Sequence, residues 1–210
     1  MHLIIANSVA EQLLISDKAS FLLGGIAPDA VFPKELSHFY AGDHSDFSRY
    51  IDAEGFLTKY ANYKQAPYIL GYYSHLIADD LWLKGFYIPW LKNRLENDNS
   101  ILELYHNDFR LLNGKLLDYY GIKDELKEAI QEYSEVIELE EVTVKNIKQL
   151  KPYVLEDMEY DQSSLSQPLN VFTFNQIVGY IETSVHKSIM HIQSLKKLKL
   201  NSINGGNNDN

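Results

Sequence analysis

The sequence predicts an all-α, single-domain, multi-helix fold, and three observations carry that prediction. Apolar residues recur at helical spacing in one segment after another, no strand-helix alternation of a nucleotide-binding fold is present, and no internal repeat or second hydrophobic core divides the 210 residues. With 45% hydrophobic and 12% aromatic residues the chain can bury one substantial core, which excludes disorder for its bulk. The expected domain covers residues 1–198. The remaining 199–210, rich in Asn and Gly, is expected to be a disordered tail.

The elements follow in order. Ile5, Val9 and Leu13, with Ala6 and Ala10, predict a helix over Leu3–Ile15, and Ser16 or Asp17 caps a second that stops at Gly24-Gly25. Pro28 makes Ile26–Ala30 a loop, and the chain is expected to stay irregular through Asp46. A helix over Phe47–Ala61 precedes a more apolar, buried one over Ala66–Leu83, where Leu70, Tyr73, Ile77 and Leu81 share a face. Asn99 or Ser100 caps a helix that carries Leu102, Tyr105, Phe109, Leu112 and Leu116 and ends before Gly121, and Asp124 opens an acidic amphipathic helix. Glu138–Val144 is β-branched, but it leads into a helical pattern over Val144–Leu150 that ends at Pro152, so helix is favoured over strand. Residues 152–170 read as a linker, and Thr173 caps a final helix through about Leu195.

Composition narrows the chemistry. Nineteen Lys and Arg against 29 Asp and Glu leave a net charge of -10, which argues against attachment to nucleic acid or anionic lipid through a basic face. The absence of Cys removes disulfides, thiolate metal sites and a thiol nucleophile, so His and carboxylates are the strong metal ligands on offer. No apolar run is long enough to span a bilayer, and the first residues lack the basic and apolar regions of a secretory leader, so a cytoplasmic location is expected. Neither a Gly-rich phosphate loop nor a Gly-x-Ser-x-Gly elbow is present.

The most informative segment is Gly71-Tyr72-Tyr73-Ser74-His75-Leu76-Ile77-Ala78-Asp79-Asp80-Leu81-Trp82. On a helix, His75 and Asp79 lie one turn apart on the same face and can share a cation; a His–Asp hydrogen bond within the core has about equal weight on spacing alone. Burying such a pair among large apolar residues is costly unless it is partnered. His2, Asp29 and His38 precede it at irregular spacings, and each alone has an ordinary reading as a frayed terminus, a turn residue and a surface imidazole. His44 in its acidic loop reads as solvated, and Glu182 with His186 as an exposed pair. Tyr72 and Tyr73 flank the proposed site and can shape an apolar mouth.

Taken together, His2-Leu3-Ile4-Ile5-Ala6, Gly25-Ile26-Ala27-Pro28-Asp29, Ser37-His38-Phe39 and the Gly71–Trp82 segment resemble, in the same order, the bacterial zinc-dependent phospholipase C family, which is related to the single-strand-specific zinc nucleases. The resemblance covers roughly residues 1 to 120. It implies an all-helical bundle of the phospholipase C and zinc nuclease type, holding one to three zinc ions and cleaving phosphate esters. Asp29, His38, His75 and Asp79 match the family's first zinc site, and His2 matches the histidine that shares the Asp79 carboxylate with another zinc. Asp108, in His106-Asn107-Asp108-Phe109-Arg110, resembles an acidic residue of compact family members and is expected as an extra ligand or base. Met1 stands where the secreted enzymes carry a processed tryptophan, and the histidine those enzymes place shortly after the helical Asp has no counterpart in Leu81–Gly85.

The expected function is therefore a zinc-dependent phosphoric ester hydrolase. Zinc acidifies a water for in-line attack on a phosphodiester, and Asp29 orients or deprotonates that water. The substrate is a phosphate ester, with a phospholipid head group as one form. Two alternatives stay open: a small-molecule phosphodiesterase with fewer metals, and a non-catalytic helical protein that keeps a metal for stability or binds a ligand.

Overall fold

The computed structural model describes residues 1–204, with side chains described through Leu195. The core is built from four helices: α1 (His2–Gln12), α2 (Lys18–Ile26), α4 (Pro67–Trp82) and the long α10 (Phe174–Asn204). Asp17 caps α2 by accepting the Ser20 amide at 2.9 Å. The glycines expected to end α2 lie inside it. A Cβ on Gly24 would stand 2.0 Å from the Tyr68 carbonyl oxygen, and one on Gly71 would stand 2.0 Å from that of Phe21. Here glycine serves as the residue that lets two helix backbones touch, which local sequence patterns cannot distinguish from a helix stop. Phe21, Leu22, Tyr68, Ile69 and Tyr72 fill the space around this crossing and are fully buried.

After α2 the chain makes a short 3-10 turn over Ala27–Ala30 and then an irregular stretch, as the proline-containing sequence predicts. The helix expected over Phe47–Ala61 is shorter and starts later. Strands β1 (Tyr40–Ala41) and β2 (Tyr50–Ile51) pair antiparallel, Tyr40 opposite Ile51, and α3 covers only Ala53–Lys59. Gly42 at φ +74° allows the turn that leaves β1, and Asp52 caps α3 by accepting the Gly55 amide at 2.9 Å. Beyond Trp82 the helix widens into π-type turns over Leu83–Leu91, which contain Pro89, before α5 (Lys92–Asn97).

Asp98 caps α6 (Asn99–Tyr120), and Gly121, in the left-handed conformation at φ 66°, ends it. α7 spans Lys123–Gln131 and no strand forms over 138–144. The linker expected from 152 is corrected: α8 (Val144–Asp157) runs through Pro152, and α9 (Gln162–Ser166) follows. Thr143 and Asn146 fix the start of α8 with a reciprocal capping box. Pro152 lies on the exposed face, where water can satisfy the carbonyl that proline leaves without an amide partner. Thr173 and Gln176 cap α10 in the same reciprocal way. α10 extends past the expected end near Leu195 to Asn204, so it enters the stretch expected as a tail; residues 205–210 lie outside the described residues. The chain is thus all-α apart from the small hairpin, and no helix among the described residues is long and apolar enough to cross a membrane.

Candidate metal centre

The crossing of α1, α2 and α4 gathers five of the side chains singled out in the sequence. His2 starts α1, Asp29 sits in the 3-10 turn after α2, His38 lies on the irregular stretch, and His75 and Asp79 occupy successive turns of α4. His38 and His75 are buried, whereas Asp29 keeps 32% of its side chain exposed and Asp79 18%.

Each buried imidazole is oriented by its Nδ1. His75 Nδ1 lies 2.9 Å from the Gly25 carbonyl, and His38 Nδ1 lies 3.2 Å from that of Lys34. A carbonyl only accepts, so both Nδ1 atoms carry the proton and both Nε2 atoms present bare lone pairs. Those two Nε2 atoms face each other at 3.3 Å. Asp79 Oδ2 stands 3.2 Å from His38 Nε2 and 3.4 Å from His75 Nε2, and Asp29 Oδ1 stands 3.5 Å from His38 Nε2. Donor atoms of about 2.0–2.1 Å bond length around a tetrahedral zinc are separated by about 3.3 Å, so the spacing fits that ion. Electron pairs pointed at one another in a buried site are costly until a proton or a metal cation lies between them. The residues present therefore fit zinc.

The second oxygen of Asp79 serves a different neighbour: Oδ1 lies 3.1 Å from His2 Nε2. The His2 ring stacks on His75 with centroids 3.7 Å apart and planes inclined by 18°. Donor atoms of His2, His75 and Asp79 converge as one group and those of Asp29, His38 and His75 as another, each within 4.8 Å. His75 is common to both groups, and Asp79 turns one oxygen to His2 and the other to the His38–His75 pair, a placement that suits a carboxylate shared between two ions.

Charge follows the same layout. Burial works to raise the Asp29 and Asp79 carboxyls, but the neighbouring imidazoles, with Lys34 added at Asp29, outweigh it and hold both far below the usual carboxylate range. At His75, burial disfavours the cation, yet the charge and hydrogen bond of Asp79, with Asp29 and the Gly25 carbonyl, raise it above an ordinary histidine. Burial and the nearby His75 lower His2.

Other expectations are corrected. Asp108 does not join the cluster: it is fully buried, and its carboxylate accepts the backbone amides of Asn170, Val171 and Phe172 at 2.8–3.1 Å. Those four contacts use its acceptor sites to anchor the chain before α10, an arrangement that accounts for a buried carboxylate without any metal. Tyr72 does not shape a mouth but is fully buried, with its hydroxyl donating to the Ser37 carbonyl at 2.5 Å and so holding the segment that carries His38. Tyr73 points elsewhere, donating to Glu54 at 2.9 Å and meeting His191. His44 is not merely solvated, since its Nε2 lies 2.7 Å from the Tyr87 hydroxyl. Two supporting residues escaped the sequence reading. Lys34 pairs with Asp29 Oδ1 at 2.5 Å, and Ser37 donates to the Pro28 carbonyl at 2.9 Å, tying the two ligand loops together. Ser37 stood beside His38 in the motif; nothing in the sequence marked Lys34.

Neither a curated protein nor a solved structure matches the chain. A family model does: residues 1–82 match that of zinc dependent phospholipase C. These 82 residues, which contain every side chain of the cluster, are similar to that zinc-dependent family.

Proposed function

We propose that the protein is a zinc-dependent phosphoric ester hydrolase acting on a phosphodiester. The observation that carries this reading is the division of Asp79, one carboxylate oxygen facing the His38–His75 pair and the other facing His2. A site built only to stabilise a fold needs a single closed tetrahedron, whereas a shared carboxylate beside a part-exposed Asp29 suits a site that keeps room for substrate. Zinc bound there supplies Lewis acidity toward a phosphoryl oxygen and toward water. The chain's own residues do the rest. His38 and His75 are held as neutral donors by the carbonyls of Lys34 and Gly25, so their orientation costs nothing during reaction. Asp29, ionised at neutral pH, is a hydrogen-bond acceptor that orients the attacking water; its depressed pKa makes it a weak proton store.

The test is elemental analysis and turnover on protein purified without a metal-affinity tag. We expect two zinc ions per chain and hydrolysis of bis-(p-nitrophenyl) phosphate that chelation abolishes. His75→Ala and Asp79→Ala are each expected to weaken zinc binding by at least about tenfold, as loss of a direct ligand exceeds that of its supports. One tightly held ion without turnover in the parent chain would refute the hydrolase reading, and unchanged metal content in both variants would refute the site.

A further inference from the structure

Beside the cluster, on the side of Asp79, lies a cavity of about 290 Å³ whose walls include Tyr40, Arg49, Trp82, Tyr87 and Tyr105. Asp79 forms part of its lining, so the cavity opens directly onto the shared carboxylate. Its one cationic side chain is Arg49, which enters from the start of β2. The guanidinium lies over the Tyr40 ring at 3.9 Å from the centroid, and 23% of the side chain remains exposed. Its nearest anionic partner is Glu35, 3.6 Å away and 63% exposed, a distance too long for a hydrogen bond. Among the described residues, none of the guanidinium N–H groups makes a hydrogen bond. A planar fork of donors is thus fixed against a ring while its hydrogen bonds remain available, next to a site suited to phosphate.

The lining adds a second polar element, His44 Nε2 at 2.7 Å from the Tyr87 hydroxyl. This pair joins the hairpin turn to the π-type turns after α4 and so fixes the width of the cavity. The remaining walls are Trp82, Tyr105 and the aliphatic Leu83.

From this arrangement we propose that the cavity is the substrate subsite, in which Arg49 grips a phosphoryl oxygen and, by its charge, selects phosphate esters with neutral or anionic substituents over those carrying an ammonium group. The inference rests on the hydrolase reading above and adds to it the substrate class. An aromatic box without a cation would welcome a quaternary ammonium. Here Arg49 already covers the Tyr40 face and places a fixed positive charge within the box, which repels a second one. Of the other rings in the lining, Trp82 stacks on Phe86 and Tyr105 meets Phe109 edge-on, and the apolar surface that they and Tyr87 give the cavity suits a neutral organic group.

The zinc-loaded protein is titrated with inorganic phosphate by calorimetry, for the parent chain, Arg49→Gln and Arg49→Lys, with zinc content and melting temperature measured alongside. Arg49→Gln is expected to weaken phosphate binding at least tenfold, Arg49→Lys less, with zinc content unchanged. In parallel, p-nitrophenylphosphorylcholine and bis-(p-nitrophenyl) phosphate are compared as substrates. The parent is expected to favour the second in kcat/KM, and Arg49→Gln to narrow that preference through KM. Phosphate binding that is absent in the parent or indifferent to Arg49, or a parent that prefers the choline ester, would overturn the subsite. Phosphate binding that depends on Arg49, without turnover of either ester, would support the subsite and overturn the hydrolase reading alone.

Discussion

His75 shows at the scale of one residue how burial and charge decide what a side chain can do. Burial alone would make it a weak base; the Asp79 and Asp29 carboxylates and the Gly25 carbonyl turn it into a stronger one. A bare Nε2 is needed for zinc, so proton and metal compete for the same atom. Because the pKa is raised, the competing proton persists to a higher pH than on an ordinary histidine of about 6.5. Apparent zinc affinity is therefore expected to climb by about tenfold per pH unit below the His75 pKa and to level off above it, with proton release on binding. Calorimetry in buffers of different ionisation enthalpy across that range checks this, and affinity independent of pH from mildly acidic to neutral solution would contradict it. Asp108 makes the complementary point. Its resemblance to an acidic residue of compact family members drew attention to it as a ligand, but its partners are amides more than sixty residues away, as in the 64-residue separation from Phe172. No local pattern could reveal them.

The elements owe their placement to backbone contacts as much as to apolar stripes. Gly71 stands one turn before His75, where α4 meets α2, and the atom a Cβ would strike there is a main-chain oxygen that cannot swing aside. Gly71→Ala is expected to cost more than about 2 kcal/mol by overpacking and, by pushing α4 from α2, to break the His75–Gly25 hydrogen bond and weaken zinc binding. Gly85→Ala is the control: nothing lies within 4 Å of its Cβ, so no loss and a gain of up to about 1 kcal/mol is expected. Urea midpoints of the two variants test the pair, and equal stability would refute the close-contact role. The same logic explains the shortened α3. The segment from Phe47 to Ile51 has enough apolar residues for a helix, yet pairing of Tyr40 with Ile51 and the Asp52 cap claim its backbone first.

Across the whole molecule the cluster joins segments that lie far apart in sequence. The N-terminus of α1, the turn after α2, the loop before β1 and the middle of α4 all end at the same few ångströms. An ion that binds this folded arrangement and not the unfolded chain stabilises it by about 2.7 kcal/mol at a hundredfold excess over its dissociation constant. For a domain of this size that corresponds to a rise of roughly 5–10 °C in melting temperature. Scanning calorimetry with and without zinc is expected to show the shift, and a chelator to reverse it; His75→Ala should abolish it. A melting temperature insensitive to zinc would mean that the convergence does not bind the ion. Local cations would also let the proposed phosphate substrate approach a chain of net charge -10, since the field at the site is set by its nearest charges.

Much was legible from residue order alone. Helical periodicity predicted the all-α class, and the caps at Ser16 or Asp17 and at Thr173 marked helix starts, because each of these is a property of neighbours along the chain; the five side chains that converge were named by the resemblance of four short motifs to a known family. What required the tertiary structure was every property of distant neighbours. The folded chain alone decided that Gly24 and Gly71 are contact points, that Asp108 holds a loop, that Tyr72 supports His38, and that Arg49 reaches the cavity beside Asp79. The physical reason is that donors, carbonyls and rings act over a few ångströms of space, and sequence spacing translates into such distances only within one helix or turn.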